Sequence, residues 1–120
     1  MPPPTPLKIK TSSVARLIKE EQSYHKEVAL QKAKIERMVA AGEDIYEINQ
    51  QKKVLADTEQ MIPELHSKLN QAVEVLEIEL ENIDEETEEK EQALAAVQEA
   101  KRVYAGSASA AVNDLFTDVS

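Results

Sequence analysis

The sequence predicts an all-α protein, an elongated up-down-up bundle of three helices with coiled-coil-like packing. Apolar residues recur at alternating steps of three and four, which places them in a narrow stripe along a helix. Only two of the 120 residues are glycine, so little interrupts these stripes. Aromatic residues make up 3% of the chain and tryptophan is absent, which favours a thin aliphatic seam over a globular core.

The first stripe predicts helix one at about residues 12–41. Thr11, followed by two serines, offers side-chain oxygens that cap a helix start, and Gly42 supplies the left-handed residue that often ends one. Residues 1–10 hold four prolines and are predicted to form an extended arm. The stripe consists of Val14, Leu17, Glu21, Tyr24, Val28, Gln31, Ile35 and Met38.

The second stripe predicts helix two at about residues 44–82, with Asp44 as its cap. Pro63 lies inside it, but the stripe stays in phase on both sides of the proline. We therefore expect a continuous helix kinked at Pro63. The alternative is a turn at this proline. The stripe consists of Ile45, Ile48, Lys52, Leu55, Glu59, Ile62, His66, Leu69, Val73, Leu76, Leu80 and Ile83.

The apolar pattern does not show where helix two ends, because its phase continues to Leu94, Val97, Lys101 and Tyr104. The charged residues give a better indication. Pairs of acidic residues four positions apart disfavour helix between 77 and 89, so we expect a reversal within residues 82–87. Helix three should then span about residues 86–105. The whole three-helix bundle should span residues 11–105. An uninterrupted helix is the alternative. Residues 106–120, after a glycine stop signal, are predicted to form a flexible tail, with a short amphipathic turn as the alternative.

The composition excludes several classes of protein. A net charge of −9 argues against non-specific nucleic-acid binding, and no stretch is apolar enough to span a membrane. The chain has no cysteine, so disulfides and thiolate metal sites are excluded. Without a recognisable signal peptide, a cytoplasmic location is expected.

No arrangement of residues predicts catalysis, so we expect a protein that is not an enzyme and needs no cofactor or metal. The two histidines lack the spacing of a zinc motif, and two isolated glycines cannot form a phosphate loop. The acidic run at 84–91 lacks the alternating ligands of a calcium loop. We interpret that run as a solvated helix face, with an acceptor surface for a basic partner as the alternative.

Five polar residues stand on the predicted seams. One interpretation places them at bundle edges, where long side chains lie along apolar surface and their heads reach water. The other is that they fix the register of the helices. These residues are Glu21, Gln31, Lys52, Glu59 and His66.

The start of helix one is basic although the chain is acidic. Residues 1–40 carry eight basic and four acidic side chains, a net charge of +4. Residues 41–120 carry six basic and 19 acidic side chains, a net charge of −13. Basic side chains at a helix start oppose the helix dipole, and such local conflicts often mark function. The alternative is a solvated basic face. The side chains concerned are Lys8, Lys10, Arg16 and Lys19.

Residues 7–28 resemble the opening of the tubulin-binding cofactor A family, small chaperones of β-tubulin. The shared element is an IKIKT-like stretch followed by a basic and apolar helix; in this chain the matching residues are Ile9, Lys10, Thr11, Arg16, Leu17, Lys19, Glu20, Tyr24 and Glu27. A second shared element is MIPEL at residues 61–65, which includes the unusual Pro63. The resemblance covers about residues 7–105 and does not extend to the tail.

This resemblance implies a non-enzymatic cofactor that captures β-tubulin after chaperonin release and holds it for assembly of the α/β heterodimer. It implies a cytoplasmic location with the microtubule cytoskeleton, β-tubulin as partner, other tubulin-folding cofactors as further partners, and either a monomer or a homodimer. The alternative is a structural coiled-coil adaptor or a prefoldin-like chaperone subunit. The candidate partner-binding residues are Lys8, Lys10, Arg16, Lys19, Glu20, Tyr24, Glu27 and Pro63.

Overall fold

The part of the chain that the structure describes contains three long helices, in agreement with the all-α prediction. The structure is a computed structural model that describes the backbone of residues 3–119 and the side chains of residues 3–103. The helices are α1 (Pro6–Ala40), α2 (Ile45–Glu81) and α3 (Glu88–Val119), and the described residues contain no strand. They divide into two compact units: unit 1 is formed by Met1–Ile18 and Leu69–Ser120, and unit 2 by Lys19–Lys68.

Unit 1 combines the start of α1, the end of α2 and α3. The Lys10 ammonium lies 2.8 Å from the Glu79 carboxylate, and Thr5 donates to Glu89 at 2.9 Å, so α3 begins beside the start of α1 and the end of α2. Within this unit the three helices therefore run up, down and up, as predicted. Its buried apolar residues are Leu7, Val14, Leu17, Ile18, Leu69, Val73, Leu76, Ala93, Val97 and Ala100.

The α3 seam differs from the one that the apolar phase predicts. Leu94 is 43% exposed, whereas Ala93 and Ala100 are completely buried on either side of Val97. Buried alanines allow closely packed helix axes, since interaxial distance depends on the side chains at the contact. Small residues therefore define this seam, and a search for large apolar residues overlooks them.

Unit 2 is a pair of antiparallel helix segments. Ile35 and Met38 near the end of α1 form a cluster with Ile48 near the start of α2, and Leu55 packs against it. Every residue of the predicted first stripe in this unit is buried or half-buried. On α2, Lys52 and Glu59 are exposed, as the edge interpretation predicts.

The start of α1 lies earlier than the sequence prediction of residue 12, and the extended arm does not reach residue 10. Thr5 caps the helix: its Oγ1 accepts from the Lys8 amide at 3.2 Å, and its carbonyl accepts from the Ile9 amide at 3.0 Å. Pro6 fits the first helical position, where no amide hydrogen is needed. Thr11, predicted as a cap, instead donates to the Leu7 carbonyl at 2.8 Å inside the helix.

The connection between α1 and α2 follows its predicted chemistry. Gly42 has φ +68°, its amide donates to the Val39 carbonyl at 3.1 Å, and the next amide donates to the Met38 carbonyl at 3.0 Å. These are the two hydrogen bonds of a Schellman helix end. Asp44 then caps α2 by accepting from the Tyr46 amide at 3.3 Å.

Helix α2 runs without interruption through Pro63. The alternative of a turn at this proline is therefore wrong. A proline inside a helix lacks the amide hydrogen that would bond to the carbonyl four residues before, here that of Glu59. The kink at Pro63 remains a prediction.

The second connection occupies residues 82–87, and α3 begins at Glu88. Thr87 caps α3 by accepting from the Lys90 amide at 3.2 Å, and three glutamates lie in the first turn. Helix α3 does not end near residue 105 as predicted but continues through Gly106 to Val119. A single glycine costs a helix only about 1 kcal/mol relative to alanine, and the surrounding alanines are the best helix formers. Side chains after residue 103, including that of Tyr104, lie outside those described.

Candidate partner-binding surface

A shallow groove beside the first turns of α1 contains two of the predicted partner-binding residues. It has a volume of about 370 Å³. We call this surface the α1 basic face. Its lining residues are Pro4, Lys8, Ile9, Ser12, Ser13 and Arg16.

Helical spacing brings these residues together. Lys8, Ser12 and Arg16 follow one another at steps of four, so they lie on one side of α1. The same turns of α1 bury Leu7 and Val14 in unit 1. Burial of that stripe fixes the rotation of the helix and leaves Lys8 and Arg16 exposed.

The α1 basic face combines positive charge with exposed apolar surface. Ile9, between its two basic residues, is 52% exposed. Residues 1–18 contain three basic and no acidic side chains. An arginine binds carboxylates through two parallel hydrogen bonds and a lysine acts as a point charge, while an exposed isoleucine offers apolar contact. The face therefore suits a protein surface that presents carboxylates around an apolar residue.

Lys10 is less exposed than Lys8 and Arg16. It is half-buried and forms its 2.8 Å ion pair with Glu79 of α2. The pair connects two helices of unit 1, so we assign Lys10 to the packing of the unit.

The early start of α1 also changes the argument from the helix dipole. Only Lys8 lies in the first turn of a helix that begins at Pro6. The dipole effect is confined to the first and last turns of a helix. Arg16 and Lys19 therefore do not oppose it, and their functional assignment depends on exposure and charge alone.

The other predicted partner-binding residues lie in unit 2 and do not line the groove. Lys19, Glu27 and Pro63 are exposed, and Glu27 accepts a hydrogen bond from Gln31 at 3.2 Å. Glu20 and Tyr24 are half-buried. The structure thus brings together Lys8 and Arg16 from the predicted set.

A buried carboxylate in unit 2 was not predicted. Glu21 is completely buried, so the edge interpretation is wrong for this residue. Its Oε1 lies 3.1 Å from His66 Nδ1 and 3.6 Å from His25 Nε2, whereas Oε2 has no hydrogen-bond partner among the described residues. The available signal was that Glu21 and His66 both stand on predicted seams. Glu21 therefore links α1 to α2 within unit 2.

Two further properties bear on function. Among the described side chains, no three His, Cys, Asp or Glu residues come together as a group that could hold a metal ion. Within the same part of the chain, no helix is both long and apolar enough to cross a membrane.

Comparison with known proteins identifies relatives of this chain. The family described as "Tubulin binding cofactor A" matches residues 2–103. "Tubulin-folding cofactor A" of Arabidopsis thaliana is 45% identical over 85 residues, which cover 71% of this chain and 74% of the relative. "Tubulin-specific chaperone A" of Homo sapiens is 40% identical over 86 residues, which cover 72% of this chain and 79% of the relative. The solved structure of "RBL2P, beta-tubulin binding post-chaperonin cofactor" superimposes on this chain with a TM-score of 0.75 at 32% identity. The match covers 82% of this chain and 97% of RBL2P.

Proposed function

Because this chain belongs to the tubulin binding cofactor A family, we propose that it is a non-enzymatic tubulin-folding cofactor. It captures β-tubulin after release from the chaperonin and holds it for assembly of the α/β heterodimer. The observation that carries this proposal is the similarity along almost the whole of RBL2P, a protein described as binding β-tubulin after the chaperonin step. The cytoplasm and the microtubule cytoskeleton are the corresponding location.

We further propose that the α1 basic face contacts β-tubulin. We expect this face to meet an acidic surface of β-tubulin. Because the chain has a net charge of −9, it attracts such a surface only where its positive charge is concentrated. The α1 basic face is such a place, because it lies in a segment with three basic and no acidic residues. Complementary charge at this face would accelerate association and orient the partner.

The residues predicted in unit 2 remain candidates for additional contacts. Lys19 and Glu27 are exposed on α1, and Pro63 is exposed on α2. Tyr24 is half-buried, and tyrosine is often an energetically important residue at interfaces. Binding requires neither a cofactor nor a covalent step, since holding a folding intermediate depends on surface complementarity.

A capture experiment tests the proposed function. The purified chain, immobilised through its C-terminus, is incubated with β-tubulin freshly released from the chaperonin and, separately, with α-tubulin. We expect retention of β-tubulin and not of α-tubulin. Equal retention of both, or of neither, would contradict the proposal, and recovery of unrelated coiled-coil proteins from extract in place of β-tubulin would favour the structural adaptor.

A further inference from the structure

Besides starting α1, the residues around Thr5 form a short sequence motif. Thr5 is followed by Pro6, and a basic residue, Lys8, stands three positions after the threonine. None of the other prolines in the chain follows a serine or threonine. Proline-directed protein kinases select a serine or threonine with a proline directly after it. Many of them favour a basic residue three positions after that serine or threonine.

Thr5 is accessible to a kinase. It is exposed, it precedes α1, and residues 3–5 have no regular secondary structure. Helix ends open locally at little cost, so the first turn can adopt the extended form that a kinase groove binds.

Two hydrogen bonds give the Thr5 hydroxyl a structural role. Oγ1 accepts from the Lys8 amide at 3.2 Å and donates its proton to Glu89 Oε2 at 2.9 Å. The first bond caps α1, and the second ties the residue before α1 to the first turn of α3. The second bond depends on the hydroxyl proton.

We propose that Thr5 is a phosphorylation site for a proline-directed kinase, and that the phosphate releases the start of α1 from α3. Thr5 Oγ1 attacks the γ-phosphorus of ATP, and the bond from that phosphorus to the oxygen that bridges to the β-phosphate breaks. ADP leaves, and the hydroxyl proton passes to the general base of the kinase. The product is a phosphothreonine whose Oγ1 has no proton to donate to Glu89.

The surroundings of Thr5 make the added charge unfavourable for unit 1. Phosphothreonine carries a charge of about −1.5 to −2 at neutral pH. A recess of about 540 Å³ next to Thr5 is lined by four carboxylates. They belong to Glu79, Asp84, Glu85 and Glu89.

Favourable interactions of the phosphate are limited to the α1 start. A phosphate at a helix start interacts well with free amides, but Oγ1 of the unmodified residue already accepts from the Lys8 amide. Of the neighbouring lysines, Lys10 is already paired with Glu79 at 2.8 Å, whereas Lys8 is exposed in the first turn of α1. We expect the lost hydrogen bond and the repulsion from the carboxylates beside Thr5 to outweigh the gain at the helix start.

The first test is incorporation of phosphate into the full chain. The purified protein is incubated with ATP and a proline-directed kinase that prefers a basic residue at the third position, then examined by intact mass and peptide sequencing. We expect one phosphate on Thr5, none in Thr5→Ala, and at least fivefold slower incorporation in Lys8→Ala. Ser67→Ala, which removes an exposed hydroxyl residue of unit 2 with no following proline, should be phosphorylated like the wild type. Absence of phosphate from Thr5, or equal incorporation at another residue, would overturn the proposal.

The second test measures the consequence for unit 1. Thermal unfolding of the phosphorylated and unmodified chains is compared in low salt, in the wild type and in Glu89→Gln. We expect phosphorylation to lower the wild-type Tm by ~2–5 °C. In Glu89→Gln, which keeps a hydrogen-bond acceptor but removes the charge, the decrease should be less than half as large. An unchanged or raised Tm, or the same decrease in both backgrounds, would show that the phosphate does not act through Glu89.

Discussion

Glu21 shows how a polar residue on a helix seam can be part of the core. Its carboxylate is completely buried, and its Oε1 lies 3.1 Å from Nδ1 of the half-exposed His66. A buried carboxylate without a partner is costly, because its lost hydration is not replaced. We infer that His66 offsets part of that cost while it keeps contact with water.

The pair provides a stability test at the residue scale. His66→Ala should lower the free energy of unfolding by about 1–3 kcal/mol, because it deprives a buried carboxylate of its short hydrogen bond. In a Glu21→Leu background the same substitution should cost less than half as much, since an apolar residue of similar volume needs no partner. Urea denaturation of the four proteins measures the difference. Equal costs in both backgrounds would show that Glu21 and His66 are not coupled.

At the scale of the helices, sequence reasoning succeeded where one residue has one strong preference. Gly42 adopts the left-handed conformation and Asp44 caps α2, as expected from their chemistry. It failed at Thr5 and Gly106, where two effects compete. A proline-rich stretch favours an extended arm, but a threonine followed by proline is also a good helix start. A glycine favours a helix end, but its alanine-rich surroundings favour continuation.

The candidate surface was predicted only in part, for a related reason. The basic charge of Lys8 and Arg16 is evident from the sequence, and the phase of the α1 stripe also predicts that Arg16 is exposed, whereas Lys8 was predicted to lie in the extended arm. The sequence did not reveal that Lys10 pairs with Glu79, or that Glu21 reaches His66. Those contacts depend on which turn of α1 faces which turn of α2, and the repeating apolar pattern is compatible with several such registers.

Pro63 tests the continuity of α2. Pro63→Ala supplies an amide for the hydrogen bond to the Glu59 carbonyl, so the free energy of unfolding should stay equal or rise by up to about 3 kcal/mol. Circular dichroism should show unchanged or higher helix content. Because the residue is exposed, no packing is lost. A marked loss of stability would mean that the chain turns at Pro63.

Thr87 tests the start of α3. Thr87→Ala removes the oxygen that accepts from the Lys90 amide and should lower the free energy of unfolding by about 0.5–2 kcal/mol. Thr87→Ser keeps that oxygen and should change the free energy of unfolding much less. Both variants are compared by thermal and urea unfolding. If alanine is tolerated as well as serine, the cap does not determine where α3 begins.

At the scale of the whole molecule, the uneven distribution of charge connects the sequence with the proposed function. A basic segment of 18 residues precedes a strongly acidic remainder, and its two exposed basic side chains, Lys8 and Arg16, line one groove on α1. Family membership points to β-tubulin, and charge points to this groove as the place of contact. The second inference rests on the first, and a charge-reversal variant tests it.

That variant is Lys8→Glu combined with Arg16→Glu. Lys8→Glu places a negative charge in the first turn of α1, where it favours the helix, and circular dichroism checks that the double variant is folded. The matched control is Lys52→Glu with Lys53→Glu, which changes the net charge equally at two exposed positions on α2.

The most direct measurement is the affinity of both variants for chaperonin-released β-tubulin, determined at two salt concentrations. The α1 variant should bind at least tenfold more weakly, about 1.4 kcal/mol, mainly through slower association. High salt should narrow that difference, and the control should bind within about twofold of the wild type. If the folded α1 variant binds like the wild type, or if both variants lose affinity equally, the α1 basic face is not the contact surface for β-tubulin.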